Sequence, residues 1–285
     1  MAWTSRGCDS RQVHRCLGHV AELVYAYGSE PYLARVESSN LSMPTNVILN
    51  YMPIEDNNPT NRQITDAAWD ELSKDYWWYK KGERAKMPNS FEAFYQEHRT
   101  KFKDVLDVGC GTGRFLIPMV QDGLNVIGLE PSSGMRKGLE INLKAAKAIL
   151  KGTVKIAIGE SKKLDFPDAS FDFVFAKGSI HHNTWEEIQQ SFREAARVLK
   201  KGQFFLFQGR SPKDSALSHS EPVLGDIGHT AKDLEGKKKG VIEHYFTEEE
   251  IRQLGAENGL EIVVGPEERV KDDGNARFWV VYRKI

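Results

Sequence analysis

The sequence predicts a doubly wound α/β fold with a mostly parallel sheet. Three observations support this prediction. Beyond residue 100 short apolar runs alternate with segments of helical periodicity, one run leads through a glycine-rich loop into a helix, and no internal repeat indicates a solenoid. The apolar runs are continuous, as expected of strands covered by helices on both faces. The 285 residues, of which 40% are hydrophobic and 28% charged, suffice for a domain with a full core.

The first 50 residues show neither helical nor strand periodicity, and we predict that they are poorly ordered. Residues 19–26 and 36–42 look like the conceptual translation of a leucine transfer-RNA gene. We therefore hypothesise that residues 1–50 are an extension foreign to the native protein, which would begin at Met52 rather than Met43. The alternative is an ordinary disordered tail.

Residues 51–100 predict an aromatic-rich helical cap. Apolar residues recur with helical spacing at Trp69, Leu72, Tyr76 and Tyr79. Such a stripe must pack against something, and docking on the main domain is the expected role. Ser90 follows a chain break and is placed to cap a second helix running to His98.

Residues 101–285 form the main predicted domain. We predict strands at residues 105–108, 125–129, 154–158, 171–176, 204–207, 260–264 and 277–282. We predict helices at residues 115–121, 135–150, 185–199 and 247–258. Thr247 and Glu250 match a capping box, and Gly259 is placed to end that helix. Residues 208–246 are longer than an ordinary connection, which predicts an inserted lid or recognition loop.

The residues that indicate chemistry are Asp107-Val-Gly-Cys-Gly-Thr-Gly113, between the first strand and the first helix of this domain. Glycines allow a tight turn and a close approach to a ligand, and the helix N-terminus presents unpaired N–H groups. Glu130 ends the second strand 17 residues after Gly113, the distance at which a carboxylate can bind both ribose hydroxyls. Together these features predict a nucleoside-containing ligand.

The glycine pattern favours S-adenosylmethionine over a dinucleotide. A dinucleotide fingerprint needs a third glycine at position 114 or 116, where the chain has Arg114 and Leu116. Asp107 would repel a pyrophosphate but attract the ammonium group of a methionine moiety. These two points argue against a nicotinamide-dependent dehydrogenase.

From about residue 102 to the C-terminus the sequence resembles the class I S-adenosylmethionine-dependent methyltransferases. Asp107 through Gly113 matches their first motif, Glu130 matches their ribose-binding acid, and Glu160 stands where the family usually has Asp. Residues 168–175 and 194–202 resemble the segments around the family's fourth strand and before its fifth. The resemblance implies a seven-stranded sheet whose last strand is antiparallel. It also implies cofactor binding by Asp107, Gly109, Cys110, Gly111, Gly113, Glu130, Pro131, Glu160, Ser161 and Lys177.

The expected function is methyl transfer from S-adenosylmethionine to a small-molecule acceptor, giving S-adenosylhomocysteine. An acceptor with a high pKa would need a general base, for which His181 and His182 at the end of the fourth strand are the candidates. Neutral charge and an aromatic cap favour a small acceptor over nucleic acid, although RNA or protein methylation stays open. A noncatalytic S-adenosylmethionine-binding regulatory module is the alternative.

Composition also limits which cell compartment, binding partners and metals are expected. A net charge of −1 and the lack of a long apolar segment or signal peptide predict a cytoplasmic protein that binds neither nucleic acid nor a membrane. Cys8, Cys16 and Cys110 lack metal-binding spacing, so reduced thiols are expected. Histidines ten and fifteen residues apart in the 208–246 segment fix no metal geometry, and no metal is expected.

Overall fold

The structure, a computed structural model, describes residues 60–74, 89–226 and 229–285. Several predictions lie outside the described residues: those for residues 1–50, for a start at Met52, and for the part of the aromatic stripe at Tyr76 and Tyr79. None of the helices within the described ranges has the length and apolar composition needed to cross a membrane.

A seven-stranded sheet and a separate three-stranded sheet contain the described strands. The strands are β1 (Asp104–Val108), β2 (Asn125–Leu129), β3 (Val154–Ala157), β4 (Phe171–Lys177), β5 (Leu199–Arg210), β6 (Ser220–Pro222), β7 (Thr230–Asp233), β8 (Ile242–His244), β9 (Leu260–Val270) and β10 (Ala276–Lys284). The large sheet has the order β3-β2-β1-β4-β5-β10-β9. Neighbours from β3 to β5 pair in parallel, whereas β10 is antiparallel to both β5 and β9. The predicted parallel sheet with an antiparallel last strand is confirmed.

Six α-helices accompany these strands. They are α1 (Asn61–Ser73), α2 (Asn89–His98), α3 (Leu116–Gln121), α4 (Ser133–Ala146), α5 (Trp185–Val198) and α6 (Glu248–Glu257) within the described ranges. Helix α4 was predicted to reach residue 150, but it ends at Ala146 and continues as a 3-10 turn, Lys147–Ile149. The capping box of Thr247 and Glu250 at the start of α6 is confirmed.

Helices cover both faces of the large sheet. Because side chains of a strand alternate between faces, neighbouring residues of β4 belong to different apolar clusters. One cluster contains Phe192 of α5 and Leu254 of α6. The other contains Phe91 of α2, Ile117 of α3 and Leu139 of α4. All five of these side chains are fully buried, which is the doubly wound arrangement that the sequence predicts.

Helix α2 belongs to the core of the domain. Three of its aromatic side chains, Phe91, Phe94 and Tyr95, are buried against the sheet. The prediction of Ser90 as the N-cap is wrong, because Ser90 lies in the first turn of α2. Its hydroxyl donates to Glu267 Oε2 at 2.6 Å, so it joins the helix to β9 instead of capping it.

Helix α1 docks on the N-terminus of α4 through Asp70. Its carboxylate accepts hydrogen bonds from Ser132 Oγ at 2.6 Å, from Ser133 Oγ at 3.0 Å and from Gly134 N at 2.8 Å. Burial opposes ionisation, but these bonds and the charge of Arg136 lower the pKa of Asp70. The helices approach so closely that a Cβ on Gly134 would lie 2.4 Å from Ser73 Oγ on α1.

The 208–246 segment is more ordered than a simple loop. Its strands β6, β7 and β8 form an antiparallel sheet in the order β6-β7-β8. His244 of β8 is fully buried and pairs through Nδ1 with Thr230 Oγ1 at 2.7 Å. The backbone N–H of Phe246 donates to Arg210 O at 2.8 Å, which joins the end of this segment to β5. We refer to residues 211–246 as the insertion.

Candidate functional site

The glycine loop follows β1, and its backbone needs glycine at two positions. Gly109 has a φ of 72°, and a Cβ there would lie 2.3 Å from the Cβ of Ser179. Gly113 has a φ of 89°, and a Cβ would lie 2.4 Å from Leu139 Cδ1. The positive φ and the lack of space for a Cβ both exclude larger side chains at these positions. Glycine therefore allows the loop to pack directly against Ser179 and Leu139. A Cβ on Gly111 would meet nothing within 4 Å, because that residue borders an open cavity.

Glu130 connects the glycine loop with the start of α4. Gly111 N donates to its Oε2 at 2.8 Å, and Ser132 N donates to its Oε1 at 2.9 Å. Burial raises the pKa of Glu130, while these bonds and the charges of Arg62 and Arg136 oppose the rise. The carboxylate borders the cavity, where its remaining lone pairs can accept hydrogen bonds from a ligand's hydroxyl groups.

Asp107 is a buried acid without a side-chain partner. It lies at the carboxyl end of β1, is 2% exposed, and forms no side-chain hydrogen bond with another described residue. Burial, followed by the charge of Glu130, raises its pKa to about 8, and Lys177 opposes the rise. A buried carboxyl group without a donor is a suitable partner for a ligand's ammonium group.

Cys110 lies buried within the glycine loop. Its Sγ packs so closely on Gly128 that a Cβ there would come within 2.7 Å of it. Burial and the nearby acids Asp107 and Glu130 raise the pKa of the thiol well above its usual value. A protonated, packed thiol is a spacer and not a nucleophile.

A single cavity of about 530 Å³ joins the predicted site residues. The cavity is lined by all of the predicted cofactor-binding residues except Gly113, and by both candidate histidines. Gly113 lies behind the loop, against Leu139 and Ile117. Glu160 contacts Lys162 Nζ at 3.1 Å, and Ser161 Oγ lies 2.8 Å from Ser191 Oγ, so both residues are held by neighbouring side chains.

Helix α1 supplies one wall of the cavity. Arg62, Thr65, Asp66 and Trp69 line the cavity. Arg62 pairs with Asp66 at 2.7 Å and lies 3.9 Å from Glu160 Oε1. The periodic stripe at Trp69 indicated an amphipathic helix, whereas no sequence signal singled out Arg62, Thr65 or Asp66.

The two histidines meet a carboxylate that the sequence did not single out. Both side chains are buried after β4, and both face Glu243 of β8. His181 Nε2 lies 3.9 Å and His182 Nδ1 3.5 Å from Glu243 Oε1. Burial and the charges of Arg210 and Lys238 lower the pKa of both imidazoles well below the usual value, so both are neutral at pH 7.

The Glu243 carboxylate is already neutralised by two cations. Arg210 Nε lies 2.7 Å from Oε2, and Lys238 Nζ lies 2.7 Å from Oε1. His181, His182 and Glu243 are close enough to form a three-ligand metal site. The adjacent guanidinium and ammonium groups would repel a divalent cation, so these contacts favour a role for Glu243 as a counter-ion. The expectation of no metal stays a prediction.

The cavity has distinct ends. One end contains the glycine loop, Glu130 and Glu160, and the other contains the histidines and the ends of β4, β5 and β10. Lys177 is the last residue of β4 and so belongs to the second of these ends, with its Nζ 5.1 Å from the centre of the Phe115 ring. We call these parts the nucleoside end and the acceptor end.

Comparison with known proteins finds methyltransferases. A family model described as a methyltransferase domain matches residues 106–207. An uncharacterized methyltransferase of Geobacillus sp. (strain WCH70) is 28% identical over 180 residues, which cover 62% of this chain and 75% of the relative. The 27-O-demethylrifamycin SV methyltransferase of Amycolatopsis mediterranei (strain S699) is 37% identical over 101 residues, 34% of this chain and 35% of the relative.

A solved structure has the same fold. It is the 1,6-didemethyltoxoflavin-N1-methyltransferase of Burkholderia thailandensis with bound 1,6-didemethyltoxoflavin and S-adenosylhomocysteine. Its TM-score is 0.57 at 17% identity, and the match covers 78% of this chain and 87% of that chain. At this identity the likeness concerns the fold alone.

The matched family segment begins in β1 and ends in β5. It therefore contains the glycine loop, Glu130 and the histidine pair, the same parts that surround the cavity. The sheet order, the loop conformation and the sequence relatives agree on one family. Residues 106–207 of this chain form a methyltransferase domain of the class I S-adenosylmethionine-dependent type.

Proposed function

We propose that this chain transfers the methyl group of S-adenosylmethionine to a small molecule bound at the acceptor end of the cavity. The observation that carries the proposal is the continuity of the cavity from the glycine loop to the buried histidine pair. The names of two similar proteins, a rifamycin and a toxoflavin methyltransferase, support a small acceptor.

The residues present fit the proposed cofactor. Asp107 offers a buried carboxyl group without a donor, which suits the ammonium group of the methionine moiety. Glu130 offers anchored carboxylate oxygens for ribose hydroxyls, and Gly111 leaves room beside the loop. When bound, S-adenosylmethionine supplies an electrophilic methyl group on a sulfonium. The chain's own contribution is to align the acceptor and exclude water.

We propose that the histidine pair removes the proton of the acceptor's nucleophile. Each imidazole has one nitrogen near Glu243, and the other nitrogens, His181 Nδ1 and His182 Nε2, are buried without a hydrogen-bond partner. A neutral imidazole can accept a proton, and an ionised Glu243 beside it would stabilise the resulting imidazolium. Glu243 is thus proposed as a positioning residue, because it acts through the imidazoles.

The first test is cofactor binding followed by turnover. We expect calorimetry to detect S-adenosylmethionine binding that Glu130→Ala weakens at least tenfold, because two ribose hydroxyls lose their acceptor. Glu140→Ala is the matched control, since Glu140 is an exposed residue of α4 outside the cavity. Binding followed by formation of S-adenosylhomocysteine with members of a small-molecule library would support the enzyme. Binding without turnover for every acceptor would favour the noncatalytic regulatory module.

The second test concerns the base. Once an acceptor is found, we expect His181→Ala or His182→Ala to lower kcat by about 10²-fold or more, the usual contribution of general-base catalysis. We expect Glu243→Gln to shift the pH profile of kcat, because it removes the charge that stabilises a protonated imidazole. His219→Ala is the control, since His219 is an exposed histidine of the insertion paired with Glu235. An unchanged kcat in both histidine variants would contradict the base role.

A further inference from the structure

The acceptor end of the cavity has a wall of positive charge. Five cationic side chains line the cavity there and on the adjoining loop: Arg114, Lys177, Arg210, Lys238 and Arg277. By contrast, the acids that line the cavity belong to α1, to the end of β1 or to the loops at the nucleoside end: Asp66, Asp107, Glu130 and Glu160. The two ends therefore differ in charge, and the acceptor end is suited to an anion.

Two buried carboxylates behind this wall neutralise part of its charge. Glu243 pairs with Arg210 and Lys238, and Asp214 pairs with Arg210 and Arg277. These three cations therefore share two carboxylates.

Asp214 also fixes the position of the Arg277 guanidinium. The Asp214 carboxylate accepts hydrogen bonds from Ala276 N at 2.8 Å and from Ala216 N at 3.0 Å, which hold it in place. Arg277 Nη2 donates to Asn275 Oδ1 at 3.1 Å. The guanidinium is thus oriented at the wall before any ligand arrives, which lowers the entropy lost on binding.

Lys177 is the cation of this wall without a counter-ion. No described residue forms an ion pair or a hydrogen bond with its ammonium group, which only faces the Phe115 ring. Burial, then the charges of Arg114, Arg277 and Lys271, lowers its pKa to about 8, and Asp107 opposes the change. A buried ammonium beside two guanidinium groups is costly without an anion, so the site lacks a negative charge.

This inference rests on the proposed function. We propose that the methyl acceptor carries a carboxylate or phosphate group in addition to the atom that is methylated, and that Lys177 and Arg277 bind this group. The anion would occupy the acceptor end, and the nucleophile would then lie between the anion and the sulfonium, beside the histidine pair. A neutral acceptor would leave Lys177 without a partner.

Lys177 is also one of the cofactor-binding residues that the family resemblance implies, so a carboxylate near it has two possible sources, the acceptor and the methionine moiety of the cofactor. The affinity for S-adenosylhomocysteine separates them, because this product keeps the methionine carboxylate and lacks the methyl group. If Lys177 binds the acceptor, Lys177→Met leaves that affinity within about twofold of the wild type. If Lys177 binds the cofactor, the same change weakens it at least tenfold.

The decisive experiment compares acids with their own primary amides as acceptors. We expect each accepted carboxylic acid to have a kcat/KM at least tenfold above that of its amide. We expect Lys177→Met to lower kcat/KM at least tenfold for the acid and less than twofold for the amide, and Lys177→Arg to restore part of the loss. Lys239→Met is the control, since Lys239 is an exposed lysine of the insertion. Thermal unfolding verifies that each variant is folded.

A second arm does not depend on finding an acceptor. Inorganic phosphate and ¹³C-acetate are titrated separately into the complex with S-adenosylhomocysteine and followed by NMR. We expect saturable binding of at least one anion that Lys177→Met abolishes. Equal use of acids and amides, a preference for neutral acceptors, or anion binding that is absent or unaffected by Lys177→Met would overturn the proposal. Failure of the proposed function has a different signature, namely no binding of S-adenosylmethionine or no turnover with any acceptor.

Discussion

At the scale of single residues, Asp107 combines a binding role with a cost in stability. Its carboxyl group is buried without a hydrogen-bond donor, and burial together with Glu130 raises its pKa to about 8. A raised pKa means that the folded state holds the proton more tightly than the unfolded state. The stability of the ligand-free protein therefore falls as pH rises from about 4 to about 8.

We expect Asp107→Asn to stabilise the ligand-free protein and to weaken cofactor binding. The free energy of unfolding of Asp107→Asn equals that of the wild type near pH 4 and exceeds it by at least about 1 kcal/mol at pH 8. The difference grows because only the wild-type carboxyl group must ionise in a buried site. The affinity for S-adenosylmethionine falls at least about tenfold, because the ammonium group loses its counter-ion. Chemical unfolding at several pH values and calorimetry measure the two effects.

Asp165→Asn is the matched control for this prediction. Asp165 is exposed and lies outside the cavity, so its change is expected to leave both the stability and the affinity unaltered. If Asp107→Asn has the same stability relative to the wild type at every pH, or binds S-adenosylmethionine equally well, the assigned role of Asp107 is wrong.

At the scale of elements, α1 and α4 are joined at the point where Glu130 is held. Asp70 of α1 accepts hydrogen bonds from Ser132, Ser133 and Gly134, and Ser132 N in turn donates to Glu130. A carboxylate at a helix N-terminus also interacts favourably with the helix dipole. The placement of α1 and the position of Glu130, the proposed ribose-binding acid, are therefore coupled through Ser132.

We expect Asp70→Asn to destabilise the protein by about 1–2 kcal/mol, the usual cost of weakening an N-terminal cap. This loss of stability is present above pH 4, where the wild-type carboxylate is ionised, because hydrogen bonding lowers the folded-state pKa of Asp70. It disappears at lower pH, where Asp70 becomes protonated. Trypsin is expected to cut faster at Arg62, and the affinity for S-adenosylmethionine to fall severalfold. Glu71→Gln, at an exposed neighbouring position that pairs with Lys74, is the control. Unchanged proteolysis at Arg62 would show that Asp70 does not hold α1.

The sequence predicted most elements of the sheet because each strand is a short apolar run next to a glycine or a capping residue. It also predicted roles for Asp107, which lies within the glycine motif, and for Glu130, which follows that motif at a characteristic distance. It could not identify Glu243 or Asp70. Each of these acids is an ordinary polar residue in its local sequence, and its role comes from contacts with residues at least 60 positions away. Non-local contacts of this kind have no local pattern.

At the scale of the whole molecule, α1 and the insertion meet at the cavity. Lys238 of the insertion donates to Glu243 Oε1 at 2.7 Å, and its Nζ also lies 5.2 Å from the centre of the Trp69 ring. Trp69 in turn lies edge-on to His182, with the ring centres 5.2 Å apart. One lysine thus links the helix over the nucleoside end with the sheet over the acceptor end, and a ligand that fills the cavity should order both.

We expect S-adenosylhomocysteine to slow amide hydrogen exchange in α1, which lines the cavity, and in β7–β8, which Lys238 at the cavity holds through Glu243. Lys238→Met keeps an unbranched apolar side chain but removes the charge that holds Glu243 and faces Trp69. In the ligand-free Lys238→Met variant, amide hydrogen exchange should become faster in both α1 and the insertion. When S-adenosylhomocysteine binds to this variant, it should slow exchange in the two regions by different factors. Lys239→Met, at an exposed neighbouring position, should behave as the wild type. Faster exchange in the insertion alone would mean that α1 and the insertion move independently, and that Lys238 does not link them.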